Sequence, residues 1–333
     1  MSICRVNRMR ELAEGVFQLE VPMRHNPLGY TYSYLLRDAA TIIDTGVGTN
    51  QAFTGLSDQL GSIGLAVSDL KRIILTHLHG DHIGLVDRVR SISGAIVYAH
   101  RSAVDFRRRR RDRGSRAFED IRDELKLLGG SGYLNAFTRF ERAFRRPRPA
   151  LRIDEPLDDG ELLELQGSTL KVFWTPGHAP EHICLYDHEK LILFSGDHVL
   201  PKITSHISLH TYQEGDPLRD YLRSLDRLHG LPVKAVLPAH EHVFEDLGGR
   251  IDALKMHHVK RCNEIRETMK DGERTVFQIS AEVSWDSRPW PQMEFWTKRM
   301  AAAETLAHLV YMKNRGEIEE KERRGVLYFD ISR

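Results

Sequence analysis

Between positions 77 and 82 the chain reads His-Leu-His-Gly-Asp-His, four metal-type side chains in six residues. Imidazole and carboxylate are the groups that bind zinc-like ions. His178, Asp197 and His240 add three more, and Asp44 precedes them all. His77 and His79 stand two apart, so in extended backbone both side chains leave one face and can share an ion. Asp81 and His82 lie one step further on, where residues 83–92 begin to read as a helix, and they can turn toward a neighbouring position. One hexapeptide therefore addresses two ions. A lone histidine is more often a hydrogen-bonded surface or core residue, but four such groups in this spacing, between a buried strand and a glycine turn, read as a site. His182, His198 and His242 crowd the same segments. They read as hydrogen-bonding or packing groups, with substrate contact as the alternative.

The elements that must position these residues are visible as short apolar runs. Residues 15–21, 31–36 and 40–44 are rich in β-branched or aromatic side chains and closed by turn residues, as strands are. Residues 51–62 read as a helix, and 72–76 (RIILT) as a buried strand that delivers His77 at its end. Further strands are expected at 95–98, 169–174, 183–186, 191–195 and 235–237. His178 follows KVFWTPG, Asp197 follows LILFSG and His240 follows AVLPA. Ligands on loops after buried strands inherit the rigidity of the sheet, and this placement suits a site at one edge of a sheet sandwich.

With these five motifs in order, the chain resembles the metallo-β-lactamase superfamily over about residues 15–245. The resemblance implies an α/β (α+β) fold, a four-layer αβ/βα sandwich with the metal site at one edge. It implies that His77, His79 and His178 bind one divalent ion, Asp81, His82 and His240 a second, and that Asp197 bridges the two. Asp44 matches the residue that orients a ligand instead of binding metal. The complete set favours a dinuclear centre and the branch resembling glyoxalase II. Zinc suits five imidazoles and two carboxylates best, while iron and manganese accept the same ligands. Two dications about 3.5–4 Å apart can bridge a water and make hydroxide available at neutral pH. The expected reaction is attack of that hydroxide on an ester or thioester carbonyl, with Asp81 as the residue on which turnover depends. No Ser or Cys nucleophile is required, and none is visible: there is no G-x-S-x-G, and Cys184 falls in an apolar stretch where an inert buried thiol is expected.

The bulk numbers set the frame. A chain of 333 residues with 48 basic and 47 acidic side chains has no global field to announce nucleic acid or membrane. Three dispersed cysteines, no apolar leader and no stretch approaching a membrane span point to a cytoplasmic protein with no membrane partner. The neutral total hides polarity. Residues 101–150 hold 15 basic against 7 acidic groups, including the run Arg107–Arg111. Their apolar residues, Phe118, Leu125 and Phe137 among them, suggest helices with one apolar face. That segment reads as a helical insertion with a solvated basic face, or as a lid whose arginines attract an anionic substrate.

Domain organisation follows as a catalytic domain at 1–248 that carries the insertion, then a second domain at 249–333. The second reads as helix, helix, helix and a charged two-strand wing, and resembles the winged-helix module appended to lactamase-β-like proteins. It packs on the catalytic domain or on a second subunit, which leaves a homodimer open. The small anionic substrates that fit are acyl-coenzyme A, a glutathione thioester or a lactone. The alternative is a phosphodiesterase or endoribonuclease acting on single-stranded RNA, with nucleic acid as second-choice partner. Against it, residues 250–333 carry 16 basic and 14 acidic groups, a weak phosphate-binding footprint.

Overall fold

The computed structural model describes residues 9–24, 26–104, 116–144, 151–286 and 288–332, so Cys4 and Arg107–Arg111 lie outside it. The chain divides into two units. One comprises Met1–Arg108, Ala150–Ser205 and Arg227–Arg250, and the other Arg109–Pro149, His206–Asp226 and Ile251–Arg333. The insertion thus groups with the tail.

The first unit is built on two sheets. Seven strands lie side by side in chain order: β1 (Arg10–Ala13), β2 (Val16–Pro22), β3 (Tyr30–Leu36), β4 (Thr41–Ile43), β5 (Arg72–Ile74), β6 (Ile96–His100) and β7 (Glu155–Leu157). β1 to β4 pair antiparallel, and β4 to β7 parallel. The second sheet holds β8 (Leu162–Leu165), β9 (Ser168–Trp174), β10 (Ile183–Asp187), β11 (Ile192–Gly196) and β12 (Ala235–Pro238), in the order β12-β11-β10-β9-β8. Successive side chains on a strand face opposite ways, and here both faces are buried, which is why the inner strands read as unbroken apolar runs. Ile42 and Ile73 pack outward with α1 (Asn50–Ser62) and α3 (Val86–Ser93), among Leu56, Leu60, Val86 and Val89. Their neighbours Ile43 and Ile74 pack inward against Leu170, Val172, Leu185 and Phe194 of the second sheet. That inner layer is the core of the sandwich. Thr49 caps α1 by accepting the Ala52 N–H at 3.1 Å.

Topology fixes where the loops gather. β9 and β11 each run antiparallel to β10, and β12 is parallel to β11, so the C-terminal ends of β9, β11 and β12 share one edge. The chain places its metal-type residues after these ends and after β4 and β5. Between β5 and α3 lies a one-turn helix α2 (Gly80–Ile83), which begins three residues before the expected helix start at 83. It ends on Gly84, where a Cβ would stand 2.1 Å from the Gly48 nitrogen. Only glycine permits that approach of two backbones.

The second unit contains the helices Ala117–Leu127, Leu134–Phe144, Val276–Glu282 and Phe295–Asn314, most of Pro217–Leu228 and of Leu247–Thr268, and a sheet in the order β13-β15-β14. Its strands are β13 (Arg274–Thr275), β14 (Ile318–Arg323) and β15 (Val326–Ile331). The expected apolar face of the insertion is present: Phe137 is fully buried with ring centroids 6.1 Å from Phe118 and from Phe295, and Tyr133 stacks on Phe277 at 5.4 Å. A buried polar knot joins three separate segments. Glu124 takes Arg299 at 2.5 Å on one oxygen and His210 Nδ1 at 2.8 Å on the other. Among the described residues no helix is long and apolar enough to cross a membrane.

Candidate metal centre

Every metal-type residue singled out in the sequence arrives at the shared strand edge, in two groups. His77, His79, His178 and Asp197 offer ligand atoms within 4.8 Å of one another, and so do Asp81, His82 and His240. The rings of His77, His79 and His178 stand nearly perpendicular, at 79° to 86°, with centroids 4.5 to 4.9 Å apart. This is three walls of a small cage. His77 sits three residues after β5, and His79, with extended dihedrals, is the cap of α2. Asp81 and His82 take the first turn of α2, which swings them away from that cage toward His240.

Asp197 faces both groups. Its Oδ1 lies 3.5 Å from His82 Nε2 and 3.4 Å from His240 Nε2. Its Oδ2 lies 3.5 Å from His178 Nε2 and 3.9 Å from His77 Nε2. Asp81 closes the second group, with Oδ2 3.5 Å from His240 Nε2 and Oδ1 4.0 Å from His82 Nε2. The floor is buried: His77, His82 and His240 are at most 2% exposed. His79 is exposed and Asp81 half-buried, so the centre opens on their side.

Asp44 behaves as a support. It is buried, with φ +57°, a left-handed conformation that short polar side chains tolerate. Its carboxylate accepts the Thr76 N–H at 2.9 Å, the Thr76 hydroxyl at 2.7 Å and His82 Nδ1–H at 2.8 Å. With Asp44 accepting from Nδ1, Nε2 is the nitrogen turned into the site, where a metal would displace its proton. His240 is held likewise: its Nδ1 lies 3.3 Å from the Tyr30 carbonyl and from the Thr31 hydroxyl. Tyr30 and Tyr32 donate to the Glu241 carbonyl at 3.1 Å, and Tyr34 to the Pro238 carbonyl at 2.6 Å, so hydroxyls along β3 clamp the chain either side of His240. Tyr32 and Tyr34 fall within the expected strand 31–36 and Tyr30 just before it, and the sequence assigns none of them a role at the site. Their alternation along β3 was the available signal.

The electrostatics suit a cation. Burial alone would lower the His82 pKa, but Asp197 and Asp44 outweigh it and hold it well above the ordinary value. His240, also opposed by burial, is raised to about 9 by Asp197 and Asp81. Burial would raise the Asp81 pKa, yet the His240 hydrogen bond and the His82 charge bring it to about 2. His77, buried beside His82 and His79, is pushed well below its usual value. Nε2 of His77 and of His82 and Oδ1 of Asp197 are buried without a hydrogen-bond partner among the described residues. Such orphaned atoms are costly unless something binds them, and a dication coordinated by these lone pairs satisfies them. The residues therefore fit divalent metal, by donor type and by orientation.

The remaining histidines separate. His182 and His198 are fully buried and His242 is exposed. Cys184 is fully buried and its thiol is pushed up to about 12 by burial, so it is no nucleophile.

Comparison with known proteins agrees with this geometry. The family model described as the metallo-beta-lactamase superfamily matches residues 26–240. The probable metallo-hydrolase YqjP of Bacillus subtilis is 28% identical over 277 residues, 81% of this chain and 85% of its own. The crystal structure of a metallo-beta-lactamase family protein from Thermus thermophilus aligns with TM-score 0.72 and 31% identity, covering 96% of this chain and 100% of that one. An atrochrysone carboxyl ACP thioesterase of Aspergillus fumigatus is 24% identical over 230 residues, 69% of this chain but 41% of that protein.

Proposed function

The chain belongs to the metallo-beta-lactamase superfamily, and on that premise we propose that it is a dinuclear hydrolase of the glyoxalase II-like branch, cleaving an ester or thioester of a small anionic acyl compound. The observation that carries two ions rather than one is Asp197, with one oxygen toward each ligand group. His77, His79 and His178 would hold the first ion and Asp81, His82 and His240 the second. Two divalent ions, zinc by the preference of this donor set, supply water activation and Lewis-acid polarisation of the scissile group when bound.

The rest of the chemistry falls to the chain. Asp44 keeps the His82 proton on Nδ1, and the His240 contacts with Tyr30 and Thr31 aim its Nε2 inward. Asp81, whose pKa burial would raise but the His240 hydrogen bond and the His82 charge bring to about 2, stands at the open side, where its carboxylate can orient a reacting water. An ester or thioester is supported by the relative named as an acyl carrier thioesterase. An anionic substrate is supported by the basic surplus of residues 101–150.

The tail supports a second reading. Helix, β13, helix, helix, β14, β15 is the order of a winged helix, with β14 and β15 as the wing. We read it as that module, which favours a phosphodiesterase or endoribonuclease as the alternative, against its nearly balanced charge. The test is a side-by-side assay of acyl-coenzyme A, acyl-glutathione, lactone and single-stranded RNA on the zinc-loaded wild type and Asp81→Ala. Thioester turnover by the wild type that is lost in the variant and on chelation is expected. RNA cleavage alone would replace the first reading by the second. Turnover on no substrate that depends on Asp81 would end both.

A further inference from the structure

Two adjacent buried residues, Glu181 and His182, reach in different directions from the loop between β9 and β10. They touch neighbours of the ligands without belonging to the ligand set. Glu181 is 2% exposed, and its Oε1 accepts the Leu78 N–H at 3.1 Å. Leu78 is the residue between His77 and His79, so this carboxylate grips the backbone of the two-histidine element at its midpoint. His182 is fully buried, and its Nε2 accepts the Asp197 N–H at 3.2 Å. Because that nitrogen accepts, the ring proton sits on Nδ1, which donates to Thr175 Oγ1 at 2.8 Å. Gly196 makes room for the ring: its φ is +51°, and a Cβ there would lie 2.7 Å from His182 Nε2. The same loop carries His178 three residues before Glu181, and backbone bonds pin it at Thr175 N to His182 O, 2.9 Å, and Ile183 N to Thr76 O, 2.8 Å.

The connections converge on one position. His77 and His79 through the Leu78 amide, Asp197 through its own amide, and His178 through the chain are all tied to the Glu181–His182 step. Asp44 bonds His82, and Tyr30 and Thr31 lie against His240. We propose that Glu181 and His182 are a positioning pair that fixes the geometry of the His77, His79, His178 and Asp197 group and reaches the second group only through the shared Asp197. The centre then has two supports, which meet at Asp197 and at Thr76. A carboxylate on a backbone amide is a charge-assisted hydrogen bond and resists rotation of the segment. An imidazole locked into one tautomer by Thr175 offers a fixed acceptor to Asp197, whose two oxygens must face opposite ways. Partners that orient ligands in this manner change metal affinity by about 10- to 100-fold when removed.

This inference rests on the reading of a two-ion centre, and the experiment separates the two. Zinc content of the purified full-length protein is measured first, then stepwise zinc affinity by competition with a chromophoric chelator. Wild type, Glu181→Ala, Glu181→Gln, His182→Ala and His182→Gln are compared, with urea unfolding of each metal-free form. Wild type holding no zinc would remove the two-ion reading itself. With two zinc ions in the wild type, the expected result is that the step for the ion held by His77, His79 and His178 weakens about 10- to 100-fold in both alanine variants, while the other step moves less, and only in His182→Ala, through the shared Asp197. Glu181→Gln, which keeps an oxygen for the Leu78 amide, should recover most of the loss, and so should His182→Gln if its oxygen reaches the Asp197 amide. Cobalt substitution gives a second readout, because the visible spectrum of the His77, His79 and His178 site should change more than that of the other. Unaltered steps in both alanine variants would overturn the proposal. Equal weakening of both steps, accompanied by loss of apo stability and no recovery with glutamine, would overturn it too, since that is what packing alone would produce.

Discussion

Replacing Asp44 by Asn tests whether a residue that binds no metal can set the affinity of one that does. Asp44 Oδ1 accepts the Thr76 N–H, and Oδ2 accepts both the Thr76 hydroxyl and His82 Nδ1–H. An asparagine has one acceptor and one donor where the aspartate has two acceptors. The Thr76 hydroxyl can turn to His77 Nδ1, 3.1 Å away, so one donor, either Thr76 N–H or His82 Nδ1–H, is stranded. A buried donor without a partner costs about 1–3 kcal/mol. Asn also suits the φ of +57° at this position, so the backbone should hold. If the stranded group is His82, its proton can move to Nε2 and occupy the lone pair that faces the site. Affinity for the ion held by Asp81, His82 and His240 should then fall about 10- to 100-fold, and a Thr76 hydroxyl that turns to donate to His77 Nδ1 moves that ring's proton to Nε2 and weakens the other ion as well. Asp44→Ala strands both donors and loses about 2–6 kcal/mol of stability. Chelator competition reads the affinities, and urea unfolding of the metal-free protein reads the stability. An Asp44→Asn protein that takes up two zinc ions with wild-type affinities would refute the reasoning.

Other perturbations address the second unit. Glu124→Ala leaves the buried Arg299 beside the half-buried His210 without their carboxylate, so the unfolding free energy should drop by about 3–5 kcal/mol and Glu124→Gln by less; equal denaturation midpoints for wild type and Ala would contradict this. Glu304 gives a pH dependence of known sign. Burial would raise its pKa, but His206 at 3.0 Å holds it at about 2, against an ordinary value of 4.5. A carboxyl whose folded pKa is depressed contributes stability above the unfolded value, and that contribution is lost as the pH falls from about 4.5 to about 2. Thermal midpoints should therefore decline on acidification across this window more steeply in the wild type than in Glu304→Gln, and parallel declines would count against it.

Much of the first unit was legible because its signals are local. The expected strand at 169–174 is Ser168–Trp174, and the expected helix at 51–62 is Asn50–Ser62. Apolar runs of this kind report on the residues that form them. The helix Pro217–Leu228 carries Leu218, Tyr221, Leu225 and Leu228 at helical spacing and fell outside the expected elements, though its period was available to read. β7 and β8 were missed for a different reason: EPL and LLEL are too short and too exposed to show a pattern. The end of α2 at Gly84 lies against the loop at Gly48, a contact no local window contains.

Side-chain type and spacing determined which groups could bind metal, because ligand chemistry belongs to the individual residue and the two-residue step from His77 to His79 already sets a shared face. Only the tertiary structure decided how those groups are held. Asp44 meets His82 across 38 positions, Glu181 meets Leu78 across 103, and the Tyr30 carbonyl meets His240 across 210. The bond from Asp44 to His82 exists only once β4 and β5 pair within one sheet, and the other two only after the two sheets have packed face to face. Their strength comes from the dry interior that packing creates, so a pattern read along the chain carries no trace of them.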